Sequence, residues 1–324
     1  MTTAFITGIG GQDGTLLTEQ LCAQGVTVHG LVRSEAERRE LVVRLPVGTE
    51  LHVGDLRDAS LLEGLVADVA PDEVYNLAGV SSVAQSWREP VLTGEVNGVG
   101  AVGVFEAASA LQERSGRAVR VVQASSAEIF GRPSVSPQDE ATPVRPTSPY
   151  GAAKAYAHQM AAVYRLRGLH VATCILYNHE SELRPTTFVT RKITAAAARI
   201  ARTGEGTIAL GDTAVRRDWG WAADYVDALV RAARHAEPDD FVIATGSTHS
   251  VAEFLEVAML HAGVDDWRSR VTVDDALLRP AEAFELVGDP TKAREVLGWA
   301  PTTTFHEVVA RMVDHDLALA RSAS

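Results

Sequence analysis

Short apolar runs alternate with longer amphipathic stretches through the first half of the chain. The runs are AFITG (4–8), VTVHGLV (26–32), LHVGD (51–55), EVYNLAG (73–79), VRVVQASS (119–126) and LHVATCILY (169–177). Each has the length of a buried strand and is followed by a helix-length segment, which predicts βαβ units and a parallel sheet covered on both faces. In DGTLLTEQLCAQG, Leu16, Leu17, Leu21 and Cys22 fall on one helical face, and Gly25 is placed to supply a left-handed stop. The fold class predicted is α/β, a doubly wound parallel Rossmann sheet.

After about residue 178 the pattern loosens into short strands and helices, among them FVTRKITAAAARIART (188–203) and SVAEFLEVAMLHAG (250–263). A cofactor domain over 1–178 is therefore expected, with segments near 218–246 returning to its sheet, and a smaller substrate lobe mainly over 179–324. The 324 residues exceed the usual size of one domain, and 46% apolar with 22% charged residues is ordinary globular usage. A net charge of -12 argues against nucleic acid or an anionic membrane surface as a main partner. Cys22 and Cys174, the two cysteines, lie in apolar segments and suggest neither a disulfide framework nor a cysteine metal site, as suits a cytoplasmic protein. The N-terminus enters a strand directly and no long uncharged apolar run follows, so neither secretion nor membrane spanning is expected.

The turn Gly8-Ile9-Gly10-Gly11-Gln12-Asp13-Gly14 follows the first strand and opens a helix. Glycines at 8, 11 and 14 let backbone N–H groups approach a pyrophosphate, and the positive end of the helix points at it. Arg33-Ser34 stands where NAD-preferring chains carry a carboxylate for the ribose 2'-hydroxyl. An arginine there pairs with a 2'-phosphate, which favours NADP over NAD. Asp55, with Leu56 beside it, is placed to meet adenine, and Leu77, Ala78 and Gly79 to line the cofactor cleft.

Ser148-Pro149-Tyr150-Gly151-Ala152-Ala153-Lys154 reads as a capped helix start, with Tyr150 and Lys154 on one face. A nearby ammonium and a cationic nicotinamide would both favour the Tyr150 phenolate, making it a base for a sugar hydroxyl. A packed tyrosine beside a solvated lysine would show the same spacing. The strand ending at Ser126, about 20 residues earlier, argues against it.

With these motifs the chain resembles the GDP-mannose 4,6-dehydratase family of the extended short-chain dehydrogenase/reductases. The resemblance rests on GIGGQDG (8–14), YNLAG (75–79), QASSAEIFG (123–131), SPYGAAK (148–154), YNHES (177–181), FVTRKI (188–193), RDWG (217–220), DFVIATG (240–246) and RPAE (279–282). It implies that Ser126 bonds the reacting sugar oxygen, that Tyr150 and Lys154 are the oxidising pair, and that Glu128 removes the C5 proton. It also implies that Ser81, Asn178, Arg184, Lys192, Arg217, Arg279 and Glu282 hold the nucleotide sugar, the cations facing its diphosphate and Glu282 its guanine. Singly, each charge could be an ordinary ion-pair member. His179 is expected as a cofactor-side contact or a satisfied buried histidine, and no metal site is expected. The resemblance further implies a homodimer or homotetramer, with the helix around FEAASALQE (105–113) in the contact; packing on the sheet explains the same stripe.

Three positions depart from the family. Ala127 replaces a serine or aspartate between Ser126 and Glu128, and Val80 and Ser82 stand where the family lines its sugar pocket with glutamine and an aromatic. Two activities remain open: a lyase that forms the 4-keto-6-deoxy sugar, or a GDP-sugar epimerase that oxidises and re-reduces C4 and needs no leaving-group acid.

Overall fold

All six apolar runs become strands of one sheet: β1 (Thr3–Thr7), β2 (Thr27–Val32), β3 (Glu50–Val53), β4 (Glu73–Asn76), β5 (Arg120–Ser126) and β6 (His170–Leu176). A seventh, β7 (Asp240–Ile243), returns from the second half of the chain. The computed structural model describes residues 2–277 and 285–322. The order is β7-β6-β5-β4-β1-β2-β3, and every neighbouring pair is parallel. The strand order reverses between β1 and β4, so a crevice opens beyond their C-terminal ends, where ligands of such sheets bind.

Strand periodicity sorts side chains between two layers. Ala4 and Ile6 of β1 join Leu17 and Leu21 of helix α1 (Gln12–Ala23) in one core, while Phe5 joins the other. That second core contains Leu62 and Val66 of α2 (Ala59–Val69), Val104 and Phe105 of α3 (Gly100–Ser115), and Tyr164 of α4 (Pro149–Leu166). Burying a side chain of this size stabilises the fold by about 1.5–3 kcal/mol. The stripe of 105–113 is spent here: Phe105, Ala108 and Leu111 are buried in this core. Helix α5 (Ala222–Arg234) packs its Tyr225 and Leu229 into the first core, joining the layer of α1. Gly25 follows α1 at φ +77°, as its position predicts.

A third core gathers residues from the rest of the second half. Ile193 and Ile200 of α6 (Val189–Thr203) meet Phe254 and Met259 of α7 (Val251–His261) and Val308 and Met312 of α8 (Phe305–Ser322). Within it Arg191 pairs with Asp316, which also accepts from Thr194. Strand Asn178–Glu180, just after β6, pairs in parallel with Trp219–Trp221.

Candidate active site

Three of the four glycines of the first turn stand close against main-chain atoms. Gly8 lies at φ +74°, and a Cβ there would stand 2.7 Å from the Ala78 nitrogen and 2.9 Å from the Leu77 carbonyl carbon. A Cβ on Gly14 would meet the Gly8 oxygen at 2.3 Å, and one on Gly11 the same oxygen at 3.3 Å. The turn is thus pressed against Leu77-Ala78-Gly79 at the reversal point of the sheet. Gly11 is the N-cap of α1 and brings no side chain to its first amides, which stay available to an anion. This narrow backbone cradle fits a dinucleotide pyrophosphate. Hydrogen bonds that local sequence patterns do not reveal pin it: Thr7 Oγ1 donates to Asn76 Oδ1 (2.6 Å), the Ala78 amide to Thr7 Oγ1 (3.2 Å), and Asn76 Nδ2 to Gln123 Oε1 (2.7 Å).

Arg33 projects from the end of β2, well exposed, but it does not stand alone. Glu37 lies 3.3 Å from its Nε and accepts from its amide at 2.9 Å. Asp55 is gripped by Arg57, with Nη2 to Oδ2 at 2.6 Å, and these hydrogen bonds hold its pKa down at about 2. Leu56 is buried in the second core, so only its backbone can meet a cofactor.

Gln12 and Asp13 reach away from the turn toward the strand that follows β6. Asp13 Oδ2 lies 2.9 Å from His179 Nε2, and His179 Nδ1 lies 2.7 Å from the Tyr177 carbonyl oxygen. Both ring nitrogens face acceptors, an arrangement that favours the doubly protonated ring, and His179 is buried and stacked on Tyr225. Burial raises the Asp13 carboxyl, yet the charge and hydrogen bond of His179 outweigh it and bring the pKa to about 2. Burial likewise opposes the His179 charge, and Asp13 reverses this, leaving its pKa raised. Gln12 Nε2 donates to the His179 carbonyl (3.1 Å), and Ser181 Oγ donates to Gln12 Oε1 (2.9 Å). The QDG and HES motifs are two halves of one clasp.

Beside the clasp lies a cleft of about 890 Å³. Ser81, Ser126, Glu128, Tyr150, Lys154, Asn178, His179, Arg184, Lys192 and Arg217 all line it. Ser126 Oγ accepts from the Glu128 amide at 3.3 Å, capping the short turn Ala127–Ile129 that aims Glu128 into the cleft. Ser148 Oγ caps α4 by accepting from the Gly151 amide at 3.0 Å, with Pro149 in the first turn. Gly151 sits directly on the Glu128 carbonyl, where a Cβ would stand 2.4 Å from the oxygen. This contact brings Tyr150 into hydrogen bonding with Ser126.

Burial pushes Tyr150 up to about 12, the Glu128 charge adds to this, and the Ser126 hydrogen bond and Arg184 oppose it. Lys154 is buried too, which pushes it down to about 8, and its Nζ donates to the Ala124 carbonyl at 2.9 Å, 6.0 Å from the Tyr150 ring centre. Burial thus disfavours both charged forms, the phenolate of Tyr150 and the ammonium of Lys154.

The cleft cations are anchored as well as charged. Arg184 lies 3.1 Å from the buried Glu180 and 3.8 Å over the Phe188 ring; Lys192 Nζ donates to the Ala209 carbonyl at 2.6 Å, and Arg217 Nη1 to the Arg216 carbonyl at 2.7 Å. Arg279 and Glu282 lie outside the described residues. Val80 is held through its backbone, its amide donating to Asn97 Oδ1 (2.7 Å) and its carbonyl accepting from Asn97 Nδ2 (3.0 Å). Asn97 sits in the π-turn Glu95–Val99, a helix irregularity that no spacing rule predicts. Ala127 is buried between Ser126 and Glu128 and brings no polar atom to the cleft from its side chain.

A doubly wound parallel sheet, a glycine turn at its reversal point and a Ser–Tyr–Lys set in the adjoining cleft define an extended short-chain dehydrogenase/reductase. The family profile described as GDP-mannose 4,6 dehydratase matches residues 5–312. GDP-mannose 4,6 dehydratase 1 of Arabidopsis thaliana is 43% identical, covering 98% of this chain and 90% of its own length, and the Homo sapiens GDP-mannose 4,6 dehydratase is 39% identical over 98% and 92%. The chain belongs to the GDP-mannose 4,6-dehydratase family. Among solved structures, the Thermus thermophilus UDP-glucose 4-epimerase complex with NAD superposes with a TM-score of 0.83 at 28% identity, covering 97% of this chain and 99% of that one. The Thermotoga maritima UDP-glucose 4-epimerase, at 22% identity with full coverage of both chains and a TM-score of 0.87, shares the fold. Among the described residues, no helix is long and apolar enough to cross a membrane.

Proposed function

We propose that the chain is an NADP-dependent GDP-mannose 4,6-dehydratase, forming the 4-keto-6-deoxy sugar from GDP-mannose. The observation that carries this reading is the Glu128 carboxylate in the same cleft wall as Ser126 and Tyr150, since C4 oxidation alone needs no such base. A bound nicotinamide supplies hydride acceptance at C4 and hydride return at C6, so the overall reaction is redox-neutral. Ser126 and Tyr150 would hold the C4 hydroxyl, and Tyr150, as the phenolate that Lys154 and the cofactor's positive charge would favour, would take its proton. The C4 ketone acidifies C5–H, and Glu128 removes that proton. Because Ala127 offers no acid, the same Glu128 carboxyl would pass its proton to the C6 oxygen; the C6–O bond breaks, C5=C6 forms and water leaves, and after hydride return to C6 the C5 carbon is reprotonated, balancing the proton taken from the C4 hydroxyl.

Arg184, Lys192 and Arg217 face the diphosphate, with Ser81 and Asn178 toward the sugar. Gly8, Gly11 and Gly14 cradle the cofactor pyrophosphate, and Arg33 turns from Glu37 to the 2'-phosphate. Residues 1–178, with the segment around 218–246, serve the cofactor, and 179–324 mainly the nucleotide sugar. A cytoplasmic homodimer or homotetramer suits the family.

Incubation with GDP-mannose and NADP+ should yield a product lighter by one water in the mass spectrum. Glu128→Gln should keep nucleotide binding and lose dehydration; full water loss by that variant would overturn the assigned role. Ala127 favours a second reading, a C4 epimerase. A product of unchanged mass with inverted C4 and no solvent deuterium at C5 would establish it instead.

A further inference from the structure

We propose that His29, Glu50 and His52 form a binding site for a first-row divalent metal ion, with Zn2+ the best match. His29 lies on β2 and faces Glu50 across the parallel register; His52 stands two residues beyond Glu50, on the same side of β3. His29 Nδ1 is 3.0 Å from His52 Nε2 and 3.7 Å from Glu50 Oε2, and the three ligand atoms all lie within 4.8 Å of one another. A zinc ion bonded to nitrogen at about 2.0–2.1 Å holds tetrahedral ligand atoms about 3.4 Å apart. The observed spacing therefore needs only small side-chain rotations.

The donor chemistry points the same way. Two imidazoles and one carboxylate suit zinc, nickel or copper, whereas magnesium and calcium take oxygen sets. One wall is apolar and close: the His52 ring centre is 6.3 Å from that of Phe5, and His29 is 13% exposed in its side chain. The other side is open, because β3 is the edge strand and the Glu50 side chain is 64% exposed. A hydrated ion can enter there, shed water against the histidines and keep a water in its remaining position.

The site is structural in kind. None of the three residues lines the candidate active-site cleft, and they share the face of Leu31, toward the second core. Coordination would clip the edge strand to its neighbour below the segment that carries Arg33 and Asp55. Sequence patterns alone pointed to no metal cluster, because the ligands come together only by strand pairing across 21 residues of chain.

The test uses the full chain without affinity-tag histidines, stripped with a chelator and titrated with Zn2+ alone. Calorimetry should show one ion per chain, thermal melting should shift upward with zinc, and Co2+ in its place should give visible d–d absorption. Loss of even an outer-shell partner weakens metal binding by about 10–100-fold, so His29→Gln and the exposed Glu50→Gln should each cost at least about tenfold. His306→Gln, an exposed histidine elsewhere, should cost nothing. Melting temperatures without zinc establish that the variants fold. Absence of saturable uptake, or uptake equal in wild type and both ligand variants, would overturn the proposal, leaving a simple histidine–histidine hydrogen bond.

Discussion

The two ends of the crevice are made of different material. The cofactor end is backbone: three glycines pressed within 3.3 Å of neighbouring main-chain atoms if given a Cβ, around a helix start with no capping side chain. The chemical end is side chain: Ser126 from β5, Glu128 from the turn after it, and Tyr150 and Lys154 from α4. A backbone cradle tolerates almost no change of residue but serves many chemistries. A side-chain cluster accepts substitution without collapse, and each substitution changes what the protein can do. Removing single groups from each end should separate the two behaviours.

The largest effect belongs to the chemical end. Tyr150→Phe should lower kcat about 10²–10⁴-fold, the usual range for a positioned acid–base group, with nucleotide affinity and melting temperature little changed. Turnover within a factor of a few of wild type would mean that another group takes the C4 proton.

The clasp between the two ends should respond next. Asp13 has a folded pKa of about 2, below the value of about 3.9 in an unfolded chain, so its contribution is present above about pH 4 and fades as the pH falls toward 2. His179 is shifted upward, so its contribution is complete below about pH 6.5 and is lost as the pH rises through its folded value. Both act together between about pH 4 and 6.5. Asp13→Asn should cost about 3 kcal/mol in that window, as expected for a broken buried ion pair, and less at higher pH, where His179 can shed its proton. Denaturant unfolding at pH 5.5 and 8.5 makes the comparison; an equal loss at both would remove the charge from the explanation.

The cofactor end should show the opposite profile from Tyr150. Gly14→Ala places a methyl 2.3 Å from the Gly8 oxygen, a main-chain atom that cannot rotate away. Overpacking of this kind costs about 1–3 kcal/mol. Dinucleotide affinity and melting temperature should both fall, with the chemical residues untouched. Normal affinity would mean that the turn opens without penalty.

How much of this was legible in the sequence follows from the same contrast. Glycines at 8, 11 and 14, the Ser148-Pro149 helix start and the four-residue step from Tyr150 to Lys154 are local patterns, and the structure places each as read. The strand runs were legible because burial on both faces favours short, mostly apolar runs. Partners distant in the chain were not. Asp13 finds His179 across 166 residues, and Asn97 secures Val80 from a π-turn. Nor could spacing show the burial of Tyr150, which pushes its phenol up to about 12. The pairing of Arg33 with Glu37 was equally hidden, because Glu37 is one helical turn away on a face that only the fold defines.

That last pair supports the smallest and most discriminating change. Arg33 must exchange Glu37 for a 2'-phosphate when NADP binds, so the two side chains pull cofactor preference in opposite directions. Arg33→Ala should raise KM for NADP about tenfold, the size of one charge-assisted hydrogen bond, and leave KM for NAD nearly unchanged. Glu37→Ala frees the guanidinium and removes a carboxylate that repels the phosphate, so the ratio should move toward NADP. Because Glu37 also accepts from the Arg33 amide, Glu37→Gln provides a control that preserves a side-chain acceptor there. If Glu37→Ala instead weakens NADP binding while Glu37→Gln does not, the carboxylate's role is to shape the loop, and Arg33 would not be the group that selects the phosphate.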